Sequence, residues 1–318
     1  MTDTTTDYTR PAEAPSASAP KHVDNYIMGM GAALLAYLAM AGMNVLAKIL
    51  SENHHVIEIA FFRNLVGVLP FLFMIYAMNR REILKIRGNG RDILLRSVLG
   101  TVSLTVTFAA YAAMPLADTS AFLFTSSLII PALGFFVLGE RVGPFRWSAI
   151  ALGFIGVLIM LRPTGDVNTV GVSLAMGAAV IHAVLQLLLR RLGKTERPET
   201  VTFYFLGIGA VLAAIPLPFV FTLPGWNEVP LIIGVGLCGV IMQMALSTAY
   251  KNAPANVVTV FNYSGIIWAT AFGWFIWNDW PTMPIWIGGS IVIVSNVVIL
   301  WRETRLAIRR NEDVLPPS

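Results

Sequence analysis

Asn44 and Lys48 stand four residues apart in an otherwise apolar run, and His182 and Gln186 stand four apart in another. Residues at that spacing share one helical face. Each run thus offers two neighbouring hydrogen-bonding or charged groups on a single side. Arg63 interrupts a third run, five residues after Glu58 and next to Asn64, and Asn262 and Trp268 lie together in a run near the C-terminus. Amides, a guanidinium, an imidazole and an indole can hold a polar solute by hydrogen bonds, charge and stacking. They do not make a reaction centre. His54 and His55 are adjacent, not spaced for one helical face, and no carboxylate–cysteine cluster accompanies them. No glycine-rich phosphate loop precedes a Lys–Ser/Thr pair, and no serine sits in a nucleophile elbow. The expectation is binding without catalysis, with no metal and no cofactor.

The elements that carry these residues are membrane spans. The chain is 56% hydrophobic and only 13% charged, with a mean hydropathy of +0.70, which leaves too little charge for the surface of a soluble domain of this length. Runs of about 20 apolar residues recur, enough to cross a bilayer as helices. They place ten spans near 26–50, 56–78, 93–112, 116–138, 146–161, 170–190, 202–221, 229–250, 254–277 and 283–301. Residues 1–25 read as a disordered tail and 303–318 as a second tail. With the N-terminus inside, the inner segments hold nearly all the Lys and Arg, among them Arg80, Arg81, Lys85, Arg87 and Arg91, whereas the outer loops hold only Arg162. This split predicts both termini on the cytoplasmic side of the cell membrane, the inner membrane in a Gram-negative source. The basic runs are then solvated loops, and no nucleic-acid partner is expected. Cys238 is the only cysteine, so no disulfide forms within the chain.

In hydrocarbon, polar side chains face a bundle interior or a water-filled cavity. Many serve only as hydrogen bonds between helices, and that is the simpler reading for Asn44, Gln186 or Asn262 taken singly. Lys48 lies near a span end, where snorkelling competes with ligand binding. Arg63 lies deeper, and an ion pair with Glu58 competes there with a ligand role. His182 is either an interhelical hydrogen bond or a proton relay. Pro70, Pro131, Pro216 and Pro218 predict kinks, and Pro115 and Pro254 predict helix starts.

The chain also contains one stretch twice. Shifting 110–161 by about 139 residues sets Ala110, Tyr111, Pro115, Phe122, Ala132, Gly134, Phe136, Trp147 and Leu161 on Ala249, Tyr250, Pro254, Phe261, Ala271, Gly273, Phe275, Trp286 and Leu300. Roughly three such matches are expected by chance on average composition. A shift of about 142 sets Asn44 on Gln186 and Lys48 on Arg190. Five spans per half is odd, so the second half must be upside down relative to the first. The fold class expected is an all-α polytopic membrane protein with ten helices in two inverted five-helix repeats, 26–162 and 170–302. Inverted repeats place a substrate site between the halves.

The strings IEIAFFRNLVGVLPF, from Ile57, and LIIPALGFFVLGERVGPFRWSAIALGFIGVLIMLRP, from Leu128, resemble motifs of the EamA type of the drug/metabolite transporter superfamily. Asn44, Lys48 and the Phe61–Arg63 string are similar to its subgroup of riboflavin and S-adenosylmethionine uptake carriers. The second half departs from the pattern, with Asn278–Asp279 where Gly–Glu is usual. The resemblance implies alternating-access transport of a small organic solute, with Asn44, Lys48, Arg63, His182, Gln186, Asn262 and Trp268 as candidate contacts. A cationic, aromatic lining ranks riboflavin uptake first, aromatic or neutral amino-acid export and S-adenosylmethionine uptake behind it, and a scaffold without transport last. The partners expected are the solute and the bilayer, with a homodimer as the assembly left open.

Overall fold

The computed structural model describes residues 26–130, 133, 144–161, 168–192, 195–252 and 261–312. Every regular element among them is helical. The helices are α1 (Tyr26–Leu50), α2 (Val56–Tyr76), α3 (Gly90–Ala113), α4 (Leu116–Leu123), α5 (Pro144–Leu161), α6 (Thr169–Leu192), α7 (Pro198–Ala214), α8 (Leu217–Val220), α9 (Val229–Asn252), α10 (Ser264–Trp277) and α11 (Met283–Glu312). Five of the helices are long and apolar enough to cross a membrane, and five shorter apolar helical segments complete the ten expected positions. The chain is a multi-pass membrane protein. Residues 1–25, Pro131 and Pro254 lie outside the described residues.

Local chemistry sets the ends. Asn89 caps α3 by accepting from the Arg91 amide at 3.1 Å, and Pro115 precedes α4 as its N-cap. α2 runs through Pro70. The span expected over 202–221 is instead two helices, because Pro216 and Pro218 remove the amide donors that would have continued α7. α11 continues to Glu312, past the expected end near 301. Asn278 ends α10 in a left-handed conformation, φ 56°. Glycine is the residue that enters this region at least cost, and asparagine follows it. The Asn for Gly departure in the second half therefore keeps the turn.

The helices pack as two interlocked halves. α1 lies on α9 and α3 on α6; α2 lies on α9 and α3 on α7; α1 lies on α10 and α4 on α6. Exchanging α1–α5 for α6, α7, α9, α10 and α11 turns the first member of each pair into the second. Smaller contacts, such as α1 on α3 and α2 on α3, show no comparable counterpart among the described residues, but the other large ones, α2 on α7, α4 on α10 and α5 on α11, map onto themselves. Such closure is what two inverted copies related by an axis in the membrane plane must show. At the α5–α11 crossing, Gly156 and Gly288 let the two backbones touch.

Polar clamps close both ends. On the side where α1 begins, Glu196 accepts hydrogen bonds from the backbone amides of Arg87 (3.1 Å) and Gly88 (2.6 Å), and Arg197 pairs with Glu82. On the far side, Lys48 donates to the Met114 carbonyl at 2.6 Å and lies 5.2 Å from the Trp277 ring centroid.

Candidate functional site

Three groups of polar and aromatic side chains lie inside this frame. The first is a pair of guanidiniums. Arg63 is seven residues into α2 and Arg96 six residues into α3, each about 10 Å along its helix from opposite sides of the bundle. They meet at Phe205 of α7. The Arg63 Cζ lies 5.3 Å and the Arg96 Cζ 4.0 Å from the ring centroid. Both arginines are more than nine-tenths buried. Among the described residues no carboxylate pairs with either. The Arg63 Nη1 donates to Asn64 Oδ1 at 2.9 Å, but Arg63 Nε, Arg96 Nε, Arg96 Nη1 and Asn64 Nδ2 have no partner. All four are N–H donors. An unsatisfied buried donor costs about 1–3 kcal/mol. Two like charges that share one ring also repel, by on the order of 2 kcal/mol or more at an effective dielectric constant near 20. Glycines make room for the pair. A Cβ on Gly100 would stand 2.5 Å from Arg96 Nη1, and one on Gly239 would stand 2.9 Å from Arg63 Nε.

This corrects one expectation. Arg63 does not pair with Glu58, because Glu58 is committed elsewhere. Arg96, whose position inside an apolar run was visible in the sequence, is the functional candidate that the sequence reading passed over.

The second group lies at matching turns in the two halves. α4 stops at Leu123, turns at Phe124 and Thr125, and resumes as helix through Ile130; the corresponding span of the second half turns at Asn262 and Tyr263 before α10. The 139-residue shift sets Phe124 on Tyr263. Their rings stack on each other with centroids 5.6 Å apart and planes 29° apart. Serine hydroxyls donate to backbone carbonyls at the turns, Ser127 to Phe124 and Ser264 to Phe261, both at 2.6 Å. Further along α10 the Trp268 indole N–H is buried without a partner. Asn262 is half-buried at the turn itself.

The remaining candidates are spread around these groups. Asn44 is buried and hydrogen-bonds Tyr111, whose hydroxyl lies 3.1 Å from Ser120 Oγ, so it ties α1 to α3 and α4. His182 and Gln186 are exposed at the middle of α6, and His182 is within electrostatic range of Arg96. Lys48 is held at the far end of α3, near the carboxylates of Asp279, Asp118 and Glu52. Its counterpart Arg190 has a side chain outside the described ones. The geometry thus brings Arg63 and His182 into one neighbourhood with Arg96, and Asn262 and Trp268 into another, while Lys48 sits apart.

The third group straps the far side. His54 is buried between two carboxylates, with Nδ1 3.0 Å from Glu58 Oε1 and Nε2 3.0 Å from Glu228 Oε2. Glu58 also accepts from the Thr222 amide at 3.3 Å, and Glu228 from the Gly225 amide at 2.7 Å and Asn53 Nδ2 at 3.1 Å. The strap joins the α1–α2 loop of one half to the α8–α9 loop of the other. The Gly225 amide, then His54, holds the Glu228 carboxyl below its ordinary value near 4.5. A carboxyl lowered in the folded state contributes stability above the ordinary value, lost as pH falls through the lowered one. Glu228→Gln is therefore expected to lower the melting temperature at pH 7 and to flatten its decline below about pH 4.5. A fluorescence melt of detergent-solubilised protein across pH measures both.

The comparisons with known proteins agree with this architecture. A model of the EamA-like transporter family matches the chain twice, over residues 27–162 and 169–301. The chain belongs to the EamA-like transporter family. The pseudopaline exporter CntI of Pseudomonas aeruginosa strain UCBPP-PA14 is 29% identical over 276 residues, covering 85% of this chain and 95% of the exporter. A riboflavin transporter of Vibrio cholerae is 28% identical over 286 residues, 87% of this chain and 94% of that protein. An S-adenosylmethionine uptake transporter of Rickettsia felis is 24% identical over 291 residues, 90% of this chain and 97% of the transporter. A solved crystal structure superposes with a TM-score of 0.60 at 18% identity, over 88% of this chain and 97% of that chain, a likeness of fold. The riboflavin and S-adenosylmethionine names match the subgroup that Asn44, Lys48 and Phe61–Arg63 resemble, and the relatives together support a small-metabolite carrier.

Proposed function

We propose that this chain moves a small organic metabolite across the cell membrane by alternating access, along a path between its two halves, with the side where α1 begins facing the cytoplasm. The observation that carries the reading is the pair of matching turns at Phe124–Thr125 and Asn262–Tyr263. Carriers built from inverted repeats hold their solute at helix interruptions between the halves, and here the turns bring the Phe124 and Tyr263 rings of opposite halves together. The exposed His182 and Gln186 at mid-helix fit a polar path better than lipid.

Riboflavin is the first solute to test. The stacked rings and the unpartnered Trp268 N–H suit a flat, hydrogen-bonding molecule, and a relative carries that name. A second reading, export of an aromatic or neutral amino acid, rests on Arg63 as a carboxylate anchor. S-adenosylmethionine ranks lower, because a cation gains nothing beside two guanidiniums.

Proteoliposomes containing the purified protein are expected to accumulate labelled riboflavin or amino acid in a saturable manner. Trp268→Ala is expected to reduce riboflavin entry about 10-fold, as stacking is worth about 1–1.5 kcal/mol beyond area burial. Saturable amino-acid movement with no riboflavin movement favours export. Entry equal to that of empty liposomes for every solute defeats the carrier reading.

A further inference from the structure

We propose that Arg63 and Arg96 form the binding site for an anionic group, a carboxylate or a phosphate, on the transported solute. The inference rests on the carrier reading and, within it, favours an acidic solute over neutral riboflavin.

The site lacks one chemical type. Arg63 Nε, Arg96 Nε, Arg96 Nη1 and Asn64 Nδ2 are all donors, all buried and all unpartnered. Protein folding pairs buried donors wherever it can. Here α2, α3 and α7 converge on four donors and bring no acidic side chain to them among the described residues. Among the described residues, the only acceptor bonded to either guanidinium is Asn64 Oδ1. A group that satisfies the set must be rich in lone pairs and negatively charged. Carboxylate and phosphate both meet that requirement, and arginine recognises either through paired N–H bonds.

The surroundings are shaped for the pair rather than filled in. Phe205 lies under both guanidiniums, supporting them by cation–π contact without supplying a hydrogen-bond acceptor. Gly100 and Gly239 stand where any side chain would push a guanidinium aside. Gly209 does the same for Asn64, since a Cβ there would stand 2.7 Å from Nδ2. The arginines start from opposite sides of the bundle and meet near its middle, which is where a carrier holds a solute that must be reached from either side. A purely structural arginine pair would bring acceptors of its own, as the strap brings two carboxylates to His54 on the far side.

The test uses matched solutes that differ in charge. One pair is N-acetylphenylalanine and its neutral amide; the other is riboflavin 5′-phosphate and riboflavin. Binding to the purified full-length protein is read as a concentration-dependent rise in melting temperature. Wild type is expected to bind the anionic member of at least one pair at least 10-fold more tightly than its neutral partner. Which pair responds separates carboxylate from phosphate. Arg63→Gln and Arg96→Gln are expected to remove the difference, and Arg96→Lys to keep part of it. If either glutamine variant fails to fold, Gly100→Ala, which displaces Arg96, is expected to reduce the preference in the same direction. Equal binding of charged and neutral partners overturns the proposal, as does the absence of stabilisation by either anion. Reconstituted protein separates this from the carrier reading. Neutral solute moved equally by wild type and Arg96→Gln leaves the carrier standing and removes the anion site. Anion binding without movement of any solute does the reverse.

Discussion

Replacing His54 by alanine is expected to cost about 3 kcal/mol of stability, the upper end of the range for leaving a buried polar group without its hydrogen-bond partner. The reason is what the substitution leaves behind. Glu58 has no exposed surface. With the imidazole gone, its carboxylate keeps only the Thr222 amide at 3.3 Å and faces Leu50, Ile59, Phe62, Ile232 and Val235, which offer no hydrogen bonds. Glu228 suffers less, because it is partly exposed and retains Gly225 and Asn53. The melting temperature should fall by roughly 10 °C. Removing both members of the buried pair tests the cause. His54→Leu with Glu58→Leu leaves no uncompensated charge, and replacing a buried pair by apolar groups is often neutral or stabilising. The double variant should therefore melt well above His54→Ala. If both variants melt like wild type, the strap contributes nothing and the loops are held by their apolar contacts alone.

The strap also marks where sequence reading stops. His54 and Glu58 are visible as i, i+4 neighbours, but Glu228 is 174 residues away from His54, and no local pattern announces it. The spans were legible for the opposite reason. Twenty apolar residues in a row have few places to go besides a bilayer, so their positions follow from composition. The inverted arrangement was legible as well, through an odd number of spans per half and a basic bias that alternates with them. The matching turns were not. They fall at Phe124–Thr125 and Asn262–Tyr263, which contain neither proline nor glycine, whereas α2 carries Pro70 without ending. The Phe124 and Tyr263 rings stack across the halves at these turns, a contact that no local pattern announces. Arg63 and Arg96 were equally visible as charges in apolar runs. Only the arrangement of α2, α3 and α7 shows that they share one ring and that neither has an acidic partner among the described residues.

A single methyl group at the α5–α11 crossing is expected to have an effect of similar size. A Cβ on Gly288 would stand 2.3 Å from the Gly156 carbonyl oxygen and 2.5 Å from Met160 Cγ, and a Cβ on Gly156 would stand 2.6 Å from the Gly288 oxygen. The obstacle is backbone, so no rotamer change relieves it. The helices must separate by the better part of an ångström, and the contacts along the whole crossing weaken with them. Overpacking costs about 1–3 kcal/mol in well-packed interiors, and this crossing belongs at the upper end. Gly288→Ala should lower the melting temperature by several degrees. Gly177→Ala, in α6 with nothing within 4 Å of its Cβ, should leave it unchanged or raise it slightly, as alanine favours helix by up to about 1 kcal/mol. The pair Gly156→Ala and Gly288→Ala should be clearly less than additive, because the first methyl already opens the gap that the second needs. Additive losses would mean that each glycine acts on its own helix and not through the shared crossing. The crossing is also one of the contacts that map onto themselves when the halves are exchanged. A variant that folds with this crossing widened but retains anion binding would show that the α2, α3 and α7 site is assembled independently of the α5–α11 join.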